Sequence, residues 1–169
     1  NEELIYEKDS VVKVNRNINW KNYKLNQQNE KLSEKVSKGS ILDFLHFDAV
    51  AIRYRSTGKE VTTKKANKVQ KIRLCFSVGA NLISESEMKN LYFQIIDPLN
   101  NIISFDNKAI AYIQGDSIVC TGKELFMYNN NLMDHCFFWE RVQVLSPGIY
   151  KINLFLEGVL AATTELKLK

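Results

Sequence analysis

Proline and glycine are scarce, two and seven in 169 residues, so long flexible linkers have little to be built from. No apolar run approaches the ~18 residues that would cross a bilayer as a helix. No glycine-rich loop with a following Lys-Ser/Thr is present, which removes the usual cradle for a nucleotide phosphate. A Gly-x-Ser-x-Gly elbow is missing as well. Histidine occurs twice, at His46 and His135, with neither the His-x₃-His nor the Cys-x₂-Cys spacing of a zinc site. Asp97, Asp106 and Asp116 fall in predicted turns without the dense alternate acids of a calcium loop, and turn-forming Asx bonding accounts for them. No cofactor is implied. Three cysteines, Cys75, Cys120 and Cys136, are widely spaced and odd in number. They argue against a disulfide framework and leave room for one bridge. Cys75 alternates with apolar neighbours in Arg73-Leu74-Cys75-Phe76 and reads as a packed strand residue.

What is there begins with a heptad. Leu4, Val11, Ile18, Leu25 and Leu32 recur every seven residues, and Asn15, Asn22, Asn29 and Val36 follow four places after the last four of them. With the first series at d and the second at a, residues 1–38 predict a coiled-coil helix. Asn at a favours a two-stranded, in-register pair at the expense of stability, so the helix by itself is marginal. Val11, Val12, Val14 and Trp20 are weaker helix formers, and Ser10 could cap a restart, so a break is expected between residues 10 and 20. Gly39 suits the position just past a helix end. A heptad already running at Leu4 reads as the C-terminal end of a longer stalk. The expected partners are a parallel homodimer through residues 1–38, or a larger assembly, or the β region itself, against which the helix could pack.

From Ile41 the apolar period changes to two, and residues 39–169 read as β structure. Both parities are apolar near Phe44, which predicts a long strand with a bulge or one leaving the helix junction. Ser56-Thr57-Gly58-Lys59 predicts a turn, and Val69 to Val78 a strand with Ile72, Leu74, Phe76 and Val78 inward. Ser84 to Lys89 reads as a polar connection with room for one helical turn, and Leu91 to Ile96 as a buried strand ended by the Asp97-Pro98 turn. A return strand is expected at Ile102-Ile103, and short strands at 109–113 and 117–119 around Gly115-Asp116. Further strands are expected at 125–128 and 135–145, separated by Asn129-Asn130-Asn131. Ile149 to Leu156 and Val159 to Leu168 predict a hairpin across Glu157-Gly158. Seven to nine short strands with frequent turns point to a mainly β fold, an immunoglobulin-like antiparallel β-sandwich behind the N-terminal coiled-coil helix. Tyr150 after Pro147-Gly148 resembles the tyrosine that ties down a corner in such sandwiches.

The sharpest local feature is the stretch from Arg53 to Arg73. Arg53, Arg55, Lys59, Lys64, Lys65, Lys68, Lys71 and Arg73 stand there against one acid, Glu60, although the whole chain carries a formal net charge of only +4. A concentrated positive stretch suits an acidic protein, an anionic lipid or, with steep salt dependence, nucleic acid. Lysines on an edge strand also block unwanted strand pairing, the plainer reading. Only Tyr54 is at hand to stack a base, which ranks nucleic acid last. Asp134-His135-Cys136 beside Trp139-Glu140 invites a thiol–imidazole reading. Neighbours on a strand point to opposite faces, however, so His135 and Cys136 cannot easily share a proton or a metal. Phe137, Phe138 and Trp139 are expected to fill the core or cover an end of it.

Asn29-Glu30-Lys31-Leu32, Lys38-Gly39-Ser40, Ser56-Thr57-Gly58-Lys59-Glu60 and Lys65-Ala66-Asn67-Lys68 occur in this order. They are followed by Lys71-Ile72-Arg73-Leu74-Cys75-Phe76, Leu91-Tyr92-Phe93-Gln94-Ile95-Ile96-Asp97 and Pro147-Gly148-Ile149-Tyr150. Together they resemble a family of Bacteroidota membrane-anchored coiled-coil proteins often labelled chromosome-partitioning proteins. The resemblance covers roughly residue 25 to the end and is weakest between Asp106 and Ser146. It implies a membrane anchor upstream, a long coiled coil and a small C-terminal β domain, and it carries no site residues. The partitioning label finds no support in the missing phosphate loop. The chain thus reads as a non-enzymatic scaffold whose stalk presents a β-sandwich to a protein partner. The alternative is a polyanion-binding module, for nucleic acid, anionic lipid or acidic glycan, that uses residues 53–73.

Overall fold

The computed structural model describes residues 2–104 and 109–169. Its first element is one helix, α1 (Glu2–Gly39), and contacts divide the chain into two compact units between Ser40 and Ile41. The expected break is not there: α1 runs unbroken through residues 10–20. Valines cost only tenths of a kcal/mol each in a helix, roughly 0.5 on the usual scales, and no Gly or Pro interrupts the run. Side-chain pairs one turn apart add support. Trp20 stacks on Tyr23 at 6.0 Å, the Lys24 ammonium lies 5.1 Å from the Trp20 ring, and Gln27 donates to the Tyr23 hydroxyl at 2.7 Å. Gly39 is the last helical residue, not the first beyond it, and the Ser40 N–H still donates to Val36 O at 2.9 Å.

The second unit is mainly β. Its strands are β1 (Phe44–Tyr54), β2 (Glu60–Thr62), β3 (Lys71–Val78), β4 (Glu87–Ile96) and β5 (Ala109–Ile113). These are followed by β6 (Asp116–Cys120), β7 (Gly122–Tyr128), β8 (Met133–Glu140), β9 (Gly148–Leu156) and β10 (Val159–Leu168). One antiparallel sheet has the order β2-β1-β3-β8, a second β10-β9-β4-β7, and β5-β6 form a separate hairpin. The ten strands among the described residues exceed the expected seven to nine, and the one not anticipated is β2, whose three residues are too few to announce a strand by alternation.

The two four-stranded sheets share one apolar core, so the unit is a β-sandwich. Ala51, Ile72, Leu74, Phe76, Val78 and Phe137 come from one sheet, and Leu91, Phe93, Ile95, Phe126, Tyr128, Tyr150, Ile152 and Leu154 from the other. The bulge in β1 falls between Phe44 and His46. It shifts the parity by one, so Phe44 packs on the core along with Phe47, Ala49 and Ala51. The hairpin β5-β6 covers the outer face of the second sheet. Ala111 and Cys120 bury Phe155 there, and Gln94 donates to Val119 O at 2.9 Å. Under the same cover Asn153 donates to Gln94 at 3.1 Å and accepts from Thr163 at 2.9 Å, which satisfies two buried amides.

The turn chemistry mostly follows the sequence. Asp97 Oδ1 accepts from Leu99 N–H at 2.9 Å and from Asn101 N–H at 2.8 Å, and Glu157-Gly158 take positive φ of 50° and 79° between β9 and β10. The β5–β6 turn is Gln114-Gly115, not Gly115-Asp116, and Asp116 opens β6. Asp106 lies outside the described residues. Three expectations need correction. Residues 82–84 form bends with no helical turn, and β4 starts at Glu87. Ile102 makes an isolated bridge to Ile96, with no strand at Ile102-Ile103. β8 ends at Glu140, and Leu145 is a separate core residue.

Candidate partner-binding surface

The basic stretch is distributed by the β1–β2 hairpin and by the return of the chain to β3. Gly58, at φ 80°, closes the turn, where Arg55 N–H donates to Lys59 O at 2.9 Å, and both Arg55 and Lys59 are exposed. After β2 the chain passes Thr63-Lys64-Lys65 into a 3₁₀ turn, Ala66–Lys68, pinned by buried Ala66 and Val69. Ala66 N–H donates to Lys169 O at 2.9 Å, and Lys169 N–H donates to Lys64 O at 2.6 Å. Lys64 is thereby fastened beside the end of β10, while Lys65 and Lys68 stand exposed on the 3₁₀ turn.

Lys71 is withdrawn from this surface. Its ammonium lies 2.5 Å from Glu60 Oε1, 4.1 Å from the Phe138 ring centre and 5.3 Å from that of Tyr54. The bond to Glu60, and then that to Tyr54, hold its pKa above the ordinary lysine value despite burial. Its charge is largely offset by Glu60 and covered by Phe138. Arg73 sits half-buried opposite Val50 and Phe138, and Arg53 sits opposite Val61 on the other parity from Tyr54. The eight residues therefore do not form one patch.

Lys64 instead joins residues from the far end of the chain. A cleft of about 690 Å³ runs between β1 and β10, lined by Ala49, Val50, Ala51, Lys64, Leu166 and Lys167, with Glu165 and Lys169 also on its wall. The sequence reading missed Lys167 and Lys169. The alternation Glu165-Leu166-Lys167 marked them as strand residues, but nothing local placed them next to Lys64.

The other candidate side chains separate as strand alternation demands. His135 Nε2 lies 3.1 Å from Glu124 Oε1, among the rings of Phe76, Phe126 and Phe137. Cys136 faces the other way and is bridged to Cys75, its register partner in β3, with Cα atoms 4.1 Å apart. One bridge is thus formed, and Cys75 is a crosslink, not merely a packed residue. Cys120 is buried, which raises its thiol pKa, and a backbone bond from Ala111 only partly offsets this. Phe137 enters the core, Phe138 covers Lys71, and Trp139 packs against the core edge. Among the described residues no group of three or more His, Cys, Asp or Glu could hold a metal ion. No helix among them is long and apolar enough to cross a membrane.

A second hollow, about 400 Å³, lies under the β5-β6 hairpin. Lys89 on its wall has a side chain only 4% exposed and donates to Glu157 at 2.6 Å and to Glu87 at 3.0 Å. Burial lowers the Lys89 pKa, and the two carboxylates outweigh it, so the net shift is upward. The ammonium is spoken for, and the arrangement clamps β4 to the β9–β10 turn.

The architecture defines a mainly β protein, a sandwich of antiparallel sheets preceded in sequence by one long helix. The chain belongs to the family DUF8428, described as a domain of unknown function, whose model matches residues 45–169. The match takes in all of β2 to β10 and begins one residue inside β1. No curated protein and no solved structure matches the chain.

Proposed function

We propose that this protein is a non-enzymatic scaffold: a coiled-coil stalk that presents an immunoglobulin-like sandwich to a protein partner. The observation that carries the reading is the seam of α1. Leu4, Val11, Ile18, Leu25, Leu32 and Val36 are each between 49% and 63% exposed, although they keep strict heptad register over the whole helix. An apolar stripe of that length in water calls for a second helix. The sandwich, by contrast, closes its core from its own two sheets. Support for the immunoglobulin-like reading comes from strand order and from one side chain. Sheets β2-β1-β3-β8 and β10-β9-β4-β7 are linked by chain crossings between layers, and buried Tyr150, near the start of the penultimate strand, donates to Ser146 O at 2.8 Å.

The contact surface in this reading is the exposed part of the basic stretch, Arg55, Lys59, Lys64, Lys65 and Lys68. The loss of Lys71 to Glu60 and the division of Arg53 from Arg73 favour a protein partner over a polyanion that needs a continuous track. The Cys75–Cys136 bridge supports an oxidising compartment, which fits a stalk held by a membrane anchor upstream with its cap outside the cytoplasm. Sedimentation equilibrium of the whole chain tests the pairing. A dimer is expected for the native sequence and a monomer for Ile18→Glu/Leu25→Glu, with the β signal in circular dichroism unchanged. A native chain that stays monomeric at every concentration overturns the stalk.

A further inference from the structure

We infer that the cleft between β1 and β10 is a docking groove for an extended acidic protein segment, bound by strand addition to the open edge of β1. The inference rests on the reading that the sandwich binds a protein, and it names where and what kind. Three observations point to it.

The first is an incomplete edge. β2 pairs with β1 only at Ile52, Arg53 and Tyr54, and Thr63 extends the pairing to Ala51, so the edge from His46 to Val50 carries no strand partner among the described residues. Thr63 N–H donates to Ala51 O from the β2 side, whereas Gln70 N–H donates to Ile52 O from the β3 side. The backbone alternates with a two-residue repeat, so Ala49 and Phe47 turn their N–H and C=O toward the open side, as Ala51 does. An extended peptide laid there would find backbone donors and acceptors at the spacing a strand needs.

The second is the floor. Ala49, Val50 and Ala51 are small, and with Leu166 they leave about 690 Å³ of groove beside that edge. Alternate apolar side chains of a bound strand would lie on this floor. The third is charge. Lys64, Lys167 and Lys169 line the groove against a single acid, Glu165, and none of the three lysines is ion-paired among the described residues. Lysines at an edge repel a second copy of the same basic edge, and they attract a strand whose outward residues are acidic. The backbone supplies affinity, the floor sets the register, and the lysines select the partner.

The test is fluorescence anisotropy of the whole chain with a labelled peptide of alternating Glu and Val. Its counterpart of alternating Lys and Val, and a copy N-methylated at every second residue, serve as comparisons. The acidic peptide is expected to bind and the basic one not. N-methylation, which keeps charge and removes main-chain donors, is expected to abolish binding. Lys64→Glu/Lys167→Glu is expected to weaken binding about tenfold or more, while Lys123→Glu, on β7, leaves it unchanged. Equal binding of the N-methylated peptide overturns strand addition. Binding of duplex DNA as tight as the peptide, lost in the same double variant, overturns the acidic-segment assignment. Sedimentation on the same samples records the dimer separately, so failure of the groove and failure of the stalk give different results.

Discussion

Removing the Cys75–Cys136 bridge is the most quantitative perturbation the fold offers. The two cysteines are separated by 61 residues, and the loop they close contains all of β4, β5, β6 and β7. In the loop-closure account the crosslink restricts the unfolded chain by about 2.1 + 1.5R ln 61, or about 14 cal/mol/K, which is about 4 kcal/mol at 25 °C. The sandwich unit spans Ile41–Lys169, about 130 residues, and unfolding entropies of ~2.1 cal/mol/K per residue give about 0.27 kcal/mol/K. The expected fall in Tm is therefore about 15 °C for Cys75→Ala/Cys136→Ala. Lost side-chain contact adds little, since both residues lie on the outer face of the sheet. Thermal and urea melts of the oxidised native chain, the reduced native chain and the double variant check it. Reductant is expected to lower the native chain to the level of the variant and to leave the variant unmoved. A variant within about 1 kcal/mol of the oxidised protein refutes the loop-closure reasoning. Three titratable thiols in the denatured, unreduced protein refute the bridge itself.

Tyr150→Phe removes the hydroxyl that donates to Ser146 O and leaves that carbonyl without its bond, at an expected cost of about 1–3 kcal/mol by urea melt; no change in midpoint would refute a tied corner. The raised pKa values of Lys71 and Lys89 have a signed consequence for stability against pH. Both ammonium groups contribute fully below the ordinary lysine value of 10.5, and the contribution is lost as pH climbs through their higher folded values. The urea midpoint is expected to hold from neutral pH to mildly alkaline pH and then fall. A Lys89→Met variant is expected to show a shallower alkaline fall than the native chain, and an equally steep one would place the effect elsewhere.

The sequence by itself determined most of what depends on near neighbours. The heptad from Leu4 to Val36 announces a helix because a 3.6-residue turn brings residues three and four apart to one face. Ile72-Leu74-Phe76-Val78 announces a half-buried strand because side chains alternate across a sheet. Asp97-Pro98 announces a turn because Asp bonds the backbone beyond it and Pro presets φ, and Gly158 announces one because glycine accepts positive φ. The expected break in α1 failed for a related reason. Propensity is a weak prior, and three valines do not overcome an otherwise uninterrupted helical run.

What only the tertiary structure decided is which distant residues meet. Nothing near Cys75 points to Cys136, and nothing near Lys71 distinguishes it from Lys68. Yet strand pairing buries Lys71 under Phe138 against Glu60 and leaves Lys68 in water. The groove has the same origin. Lys64 and Lys167 share it because the last strand of one sheet passes the open edge of the first strand of the other. Periodicity fixes which face a side chain takes. Its neighbours across that face come from how the sheets stack, and the energy of that stacking is summed over the whole core.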